Sequence, residues 1–134
     1  MAEKLAIGLK LNNSTMVSAA LTVPNLSAEF GDFKDMPPVF ATPYLVAFIE
    51  YTCLTGLKPL LGAGERTVGT SISISHSAAT PVGMKVFCEA ELIELKGKLM
   101  QFKITCRDEN QIISEGTHGR AIIDYEKFMS RLGQ

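Results

Sequence analysis

The sequence lacks a charge excess of either sign: 13 Lys and Arg stand against 14 Asp and Glu, a formal net charge of -1, with no block of like charges. That excludes the electrostatic footprint of a nucleic-acid binder or of a protein held on an anionic membrane, so neither partner is expected. No apolar run approaches the ~20 residues of a membrane span. The stretch MAEKLAIGLKL has neither the long apolar region nor the small-residue cleavage site of a signal peptide, so the expected location is cytoplasmic. Cysteine is scarce. Cys53, Cys88 and Cys106 are odd in number, widely spaced and set in apolar segments, which argues against a disulfide framework and for reduced core thiols. A complete glycine-rich phosphate cradle is also missing, because Gly62, Gly64 and Gly69 are too scattered to form one. The two His and three Cys have no metal-ligand spacing, so neither a metal nor a cofactor is expected.

What is present is an ordinary globular composition over 134 residues, with 46% hydrophobic and 20% charged residues, and it predicts one domain over 1–134. Such a chain buries roughly two thirds of its unfolded surface and needs no metal or disulfide to hold a core. A large pocket inside it would compete with that core for space, which favours a pocket between subunits.

Thr15 to Val23 reads as a strand ended by Pro24. The loop from Pro24 to Pro38 carries Phe30, Phe33 and Met36, with Phe40 just beyond, so it either plugs the end of the core or lines a pocket. Thr42-Pro43 opens a helix that runs to about Leu57, with Gly56 and Pro59 marking its end. Leu45 to Ile49 are consecutively apolar, which predicts burial nearly all round. From Thr70 to Thr80 the period becomes two, with Ile72, Ile74, His76 and Ala78 on one face and serines on the other. Three further strands, Val86 to Leu95, Leu99 to Arg107 and Gln111 to Tyr125, follow through short turns, and Lys127 to Leu132 is a short terminal helix or a frayed end. The expectation is an α+β fold, a five-stranded antiparallel meander wrapped around one long buried helix, dimerising edge to edge.

Glu50 follows five apolar residues in that helix, so it is paired, protonated or functional. Its structural alternative is a wet stripe on the helix or a pairing with Arg120. His76 faces the core from its strand, either as a satisfied core histidine or as an acid-base partner of Glu50. Thr42 is a good helix cap; as a functional group it would be a nucleophile or would position water. It lies eight residues from Glu50, roughly 12 Å along a helix, so an imidazole, a water or a second subunit would have to join them. His118 and Arg120 share a strand face, where Arg120 either sits at a wet sheet edge or holds an anionic group.

The segments VFATPYLVAFIEYTC, GTSISISHSAATPVGMKV and EGTHGRAII together resemble the hotdog-fold acyl-CoA thioesterases, most closely the fluoroacetyl-CoA thioesterase branch. The likeness runs from Val39 to about Phe128. It implies a hotdog fold, an acyl-CoA substrate and a homodimer or higher oligomer with sites at the subunit interface. It also implies Thr42, Glu50 and His76 as the catalytic group, Gly69 at the substrate carbonyl, and Phe33, Met36, Phe40 and Arg120 around the acyl group. Three positions depart from that branch: Met36 stands for a lid Phe, Pro43 for a Gly, and Gly119 for an acidic residue. The expected reaction is hydrolysis of a small or short-chain acyl-CoA. The alternatives are a dehydratase on the same fold, and a hotdog module that binds or senses acyl-CoA without turning it over.

Overall fold

The computed structural model describes residues 4–133. Five strands, β1 (Lys10–Met16), β2 (Glu65–Ile74), β3 (Lys85–Lys96), β4 (Leu99–Asp108) and β5 (Ile112–Asp124), form one antiparallel sheet in the order β1-β3-β4-β5-β2. The sheet curls around α1 (Thr42–Leu57), and a short α2 (Tyr125–Arg131) ends the described chain. The α+β architecture expected from the sequence is the one observed.

The alternation in β4 places Met100, Phe102, Ile104 and Cys106 on the helix side, all buried, against Leu45, Ile49, Cys53 and Leu57 of α1 in one core. The β3–β4 connection is a tight hairpin in which Gly97 takes φ +58°, a conformation that disfavours residues with a Cβ. The terminal segment is a helix rather than a frayed end. The Asp124 carboxylate accepts from the Lys127 N–H at 3.1 Å, and the Arg66 guanidinium lies 3.5 Å over the Tyr125 ring.

Four sequence expectations are corrected. Only β3, β4 and β5 form a meander; β2 pairs with β5 at the far edge of the sheet, and residues 75–84 cross back to β3. The reason is that the chain stays bonded to β5 beyond the strand, from Ser75 N to the Glu115 carbonyl at 2.9 Å and from Ser77 N to the Ile113 carbonyl at 2.8 Å. The first strand is Lys10–Met16, not Thr15 to Val23. In the latter segment Thr22 Oγ1 and Asn25 Nδ2 each donate to the Ala19 carbonyl at 2.7 Å, which favours two 3-10 turns over a sheet ladder.

The helix is not buried all round. Leu45, Phe48, Ile49, Cys53 and Leu57 face the core, whereas Ala47, Tyr51 and Leu54 face outward, because one sheet covers only one side of a helix. The helix ends at Leu57, where Gly56 and Pro59 mark its end in the sequence, and a Cβ on Gly56 would stand 2.8 Å from a Leu11 methyl, so the glycine also permits a close approach of β1. The loop before the helix is not a plug. Phe30 and Met36 are 62% and 49% exposed, and Phe33 stacks edge-on against Phe30 at 6.2 Å; Phe40 alone of the four enters the core.

Candidate active site

The first cluster forms at the N-terminal end of α1. Ala41, not Thr42, precedes the helix, and no side chain caps it. Thr42, at the first helical position, instead makes a 2.6 Å hydrogen bond through Oγ1 with His76 Nδ1, so its capping role is overturned. Two backbone bridges bring these residues together: Phe40 N donates to the Thr80 carbonyl at 2.9 Å, and Val39 pairs with Pro81. Thr80 is in turn held by the buried Asp108, whose carboxylate accepts from the Thr80 hydroxyl at 2.9 Å and from the Asn110 and Gln111 amides. Gly116 lets β5 approach β2 at Ser73 and Ile74, where a side chain would run into backbone. His76 therefore sits on a segment fixed from both sides. Its ring meets Phe40 edge-on at 6.5 Å, and burial holds its pKa below the usual imidazole range, which favours the neutral ring. Its Nε2 is buried without a hydrogen-bond partner among the described residues.

The second cluster lies two turns further along α1. Arg120 is 4% exposed, which corrects the wet-edge alternative. Its Nε donates to Thr67 Oγ1 at 3.0 Å and its Nη2 to the Thr67 carbonyl at 2.9 Å, while Nη1 reaches both Glu50 Oε1 and His118 Nε2 at 3.2 Å. The Glu50–Arg120 pairing considered from the sequence is thus present, yet the Glu50 side chain remains 44% exposed. It opens onto a cavity lined by Val46, Gly69, Thr70, Ile72 and His118. A buried cation gripping one carboxylate oxygen from behind, with the carboxylate facing a cavity, can orient an attacking or proton-accepting group.

Gly69 makes room for it. A Cβ built on Gly69 would collide with Glu50 Oε1 and stand 3.4 Å from the His118 ring, and the constraint is space because Gly69 has no left-handed φ. Gly69→Ala is expected to displace the carboxylate and lower kcat by about 10- to 100-fold while far-UV circular dichroism stays native. Wild-type kcat in this variant would show that Glu50 need not occupy this position.

Thr42 and His76 therefore come together, as do Glu50, Gly69 and Arg120, but no hydrogen bond joins the two clusters among the described residues. Phe33 and Met36 have no hydrogen bond or ring contact with either cluster. Sequence reasoning gave His118 no role and missed Thr67. The only sequence signal was the alternate spacing that puts His118 beside Arg120 on the inner face of β5.

Comparison with known proteins identifies the fold and the family. A variant of the fluoroacetyl-CoA-specific thioesterase, solved with fluoroacetate and CoA, superposes with TM-score 0.89 at 35% identity, covering 92% of this chain and 99% of that one. A hypothetical protein of Thermus thermophilus, a thioesterase superfamily member, shares the fold with TM-score 0.83 at 23% identity over 95% of this chain and 90% of its own. The fold is that of the hotdog thioester hydrolases. The model of the FlK family, fluoroacetyl-CoA-specific thioesterase, matches residues 22–126. The fluoroacetyl-CoA thioesterase of Streptantibioticus cattleyicolor is 34% identical over 134 residues, all of this chain and 96% of that protein. The chain belongs to the fluoroacetyl-CoA-specific thioesterase family.

Proposed function

We propose that this protein hydrolyses short-chain acyl-CoA thioesters to the free acid and CoA, as a single hotdog domain acting in a homodimer. The observation that carries the reading is the 2.6 Å bond between Thr42 Oγ1 and His76 Nδ1, a hydroxyl diverted from helix capping to an imidazole. Glu50 supplies the electron pair, either by attacking the thioester carbonyl or by taking a proton from the water that does. The Gly69 amide meets the developing oxyanion. The carbon–sulfur bond breaks, CoA leaves as the thiol after taking up a proton, and the His76–Thr42 pair carries that proton. With a covalent acyl-Glu50 intermediate, water completes the cycle and regenerates the carboxylate.

Thr42 and Glu50 lie roughly 12 Å apart along α1, which supports a site completed by a second subunit. β2 is a ten-residue edge strand with Ile72 40% exposed, and α1 shows Tyr51 and Leu54 to solvent, so both elements have surface for a partner copy. The cavity at Glu50 offers only Val46, Thr70 and Ile72 as apolar or half-apolar walls, which suits a small acyl group. Phe40 lies beside His76, and Phe33 and Met36 are the lid residues of the proposed site. Its three cysteines are buried free thiols, which fits a cytoplasmic location; no helix among the described residues is long and apolar enough to cross a membrane.

The test is steady-state free-thiol release from acetyl-, fluoroacetyl-, propionyl-, butyryl-, longer-chain and aryl-acyl-CoA. Sustained turnover confined to the shorter acyl groups is expected. Ligand binding that saturates at one per site without thiol release would instead mark a sensing module.

A further inference from the structure

His118 is 1% exposed and makes two hydrogen bonds whose partners leave no freedom in its protonation. Nδ1 lies 2.8 Å from the Ser71 carbonyl, which only accepts, and Nε2 lies 3.2 Å from Arg120 Nη1, which only donates. The ring must therefore carry its proton on Nδ1 and present a lone pair at Nε2. We propose that His118 is a positioning residue: as the neutral Nδ1–H tautomer it ties Arg120 to the Ser71 carbonyl and thereby fixes the Glu50 carboxylate over Gly69. The proposal rests on the reading of Glu50 as the reacting carboxylate.

The rest of the cluster makes this role specific. One edge of the guanidinium, Nε and Nη2, is committed to Thr67, so the direction of Nη1, the nitrogen that holds Glu50, is set by Thr67 on one side and by His118 on the other. Ser71 belongs to the irregularity where β2 shifts register against β5 between Gly69 and Ser71. His118 thus also pins the backbone two residues from Gly69. Protonating Nε2 would face one donor with another and one cation with a second. Among the described residues the charged groups that act on the ring are Arg120 from β5 and Glu50 from α1; the Cys53 thiol, which feels the same two charges, is pushed up to about 12, mainly by burial, and stays neutral. Burial and Arg120 hold His118 below the usual imidazole range against the opposing pull of Ser71 and Glu50, so the clamp is closed at neutral pH and opens as the medium turns acidic.

Replacing the ring by amides separates its two bonds. In His118→Gln the amide oxygen reaches the position of Nε2 and accepts from Arg120; in His118→Asn the shorter amide reaches only Ser71. Thiol-release kinetics should show kcat within about 5-fold of wild type for Gln and lowered about 10- to 100-fold for Asn and for His118→Leu, with KM changed less than about 3-fold in all three. As the pH falls below the usual imidazole range the Gln variant should lose less of its own maximal kcat than wild type loses, because one inhibitory protonation is gone. Nitrogen-15 NMR of the imidazole should show protonated Nδ1 and bare Nε2 at neutral pH. Equal kcat in Asn and Gln, a loss confined to KM, or an Nε2-protonated ring would overturn the proposal. If Glu50→Gln kept full turnover, the failure would lie in the reading of Glu50. A dead Glu50→Gln beside a fully active His118→Asn would sink the clamp alone. Should His118→Leu fail to fold, the Gln and Asn pair still decides.

Discussion

Glu50→Gln is expected to lower kcat by about 10²- to 10⁴-fold and to leave a folded protein that still binds CoA. The substitution keeps the shape of the side chain and an oxygen that accepts from Arg120 Nη1, but removes the electron pair that attacks or takes a proton. The energetic asymmetry of the pair makes Gln the right choice. Arg120 is 4% exposed and Glu50 44%, so loss of the acceptor strands a buried guanidinium, whereas loss of the guanidinium would leave a carboxylate that water still reaches. Glu50→Ala should therefore cost about 1–3 kcal/mol of stability and confound the kinetics, and Glu50→Gln clearly less. Thermal unfolding of both variants, CoA titration and thiol release check this together. Wild-type kcat in Glu50→Gln would remove the carboxylate from the mechanism.

The elements legible in the sequence are those whose signals are local. The extent of α1 and the β3–β4–β5 meander follow from period, Pro43 and the short turns, and the buried row Met100, Phe102, Ile104 and Cys106 follows from alternation alone. The pairing of β2 was not legible, because the choice between β3 and β5 as neighbour depends on Ser75 and Ser77 bonding to residues about 40 positions away. Thr15 to Val23 has strand composition, yet only Thr15 and Met16 stay in β1, and the bonds of Thr22 and Asn25 to Ala19 hold the rest in turns. The site shows the same limit. Thr42 as a cap and Thr42 as a hydrogen-bond partner of His76 look identical until a residue 34 positions on is placed beside it. Arg120 is buried only because Thr67, from another strand, offers it both a hydroxyl and a carbonyl. Glu50 was conspicuous as a charge in an apolar run, and that physical oddity survived folding as a half-exposed carboxylate backed by a buried cation.

Mixing two inactive variants should restore activity if Thr42 and His76 of one subunit act with Glu50 of the other. A Thr42→Ala, His76→Ala double variant and a Glu50→Gln variant are each dead as homodimers, since every site lacks one half. In a mixed dimer one site receives both defective halves and the other receives both intact ones. Random exchange makes half the dimers mixed, each with one working site of two, so the mixture should recover roughly a quarter of wild-type turnover. If each protomer instead assembled its own site, no combination would contain an intact one and recovery would be nil. The helix favours the first outcome: Thr42 and Glu50 are eight residues apart on a rigid α1 with no irregularity between them, so one protomer cannot bring the hydroxyl and the carboxylate onto the same carbonyl. Light scattering on the same samples checks that dimers are present, and thiol release before and after subunit exchange provides the decisive ratio.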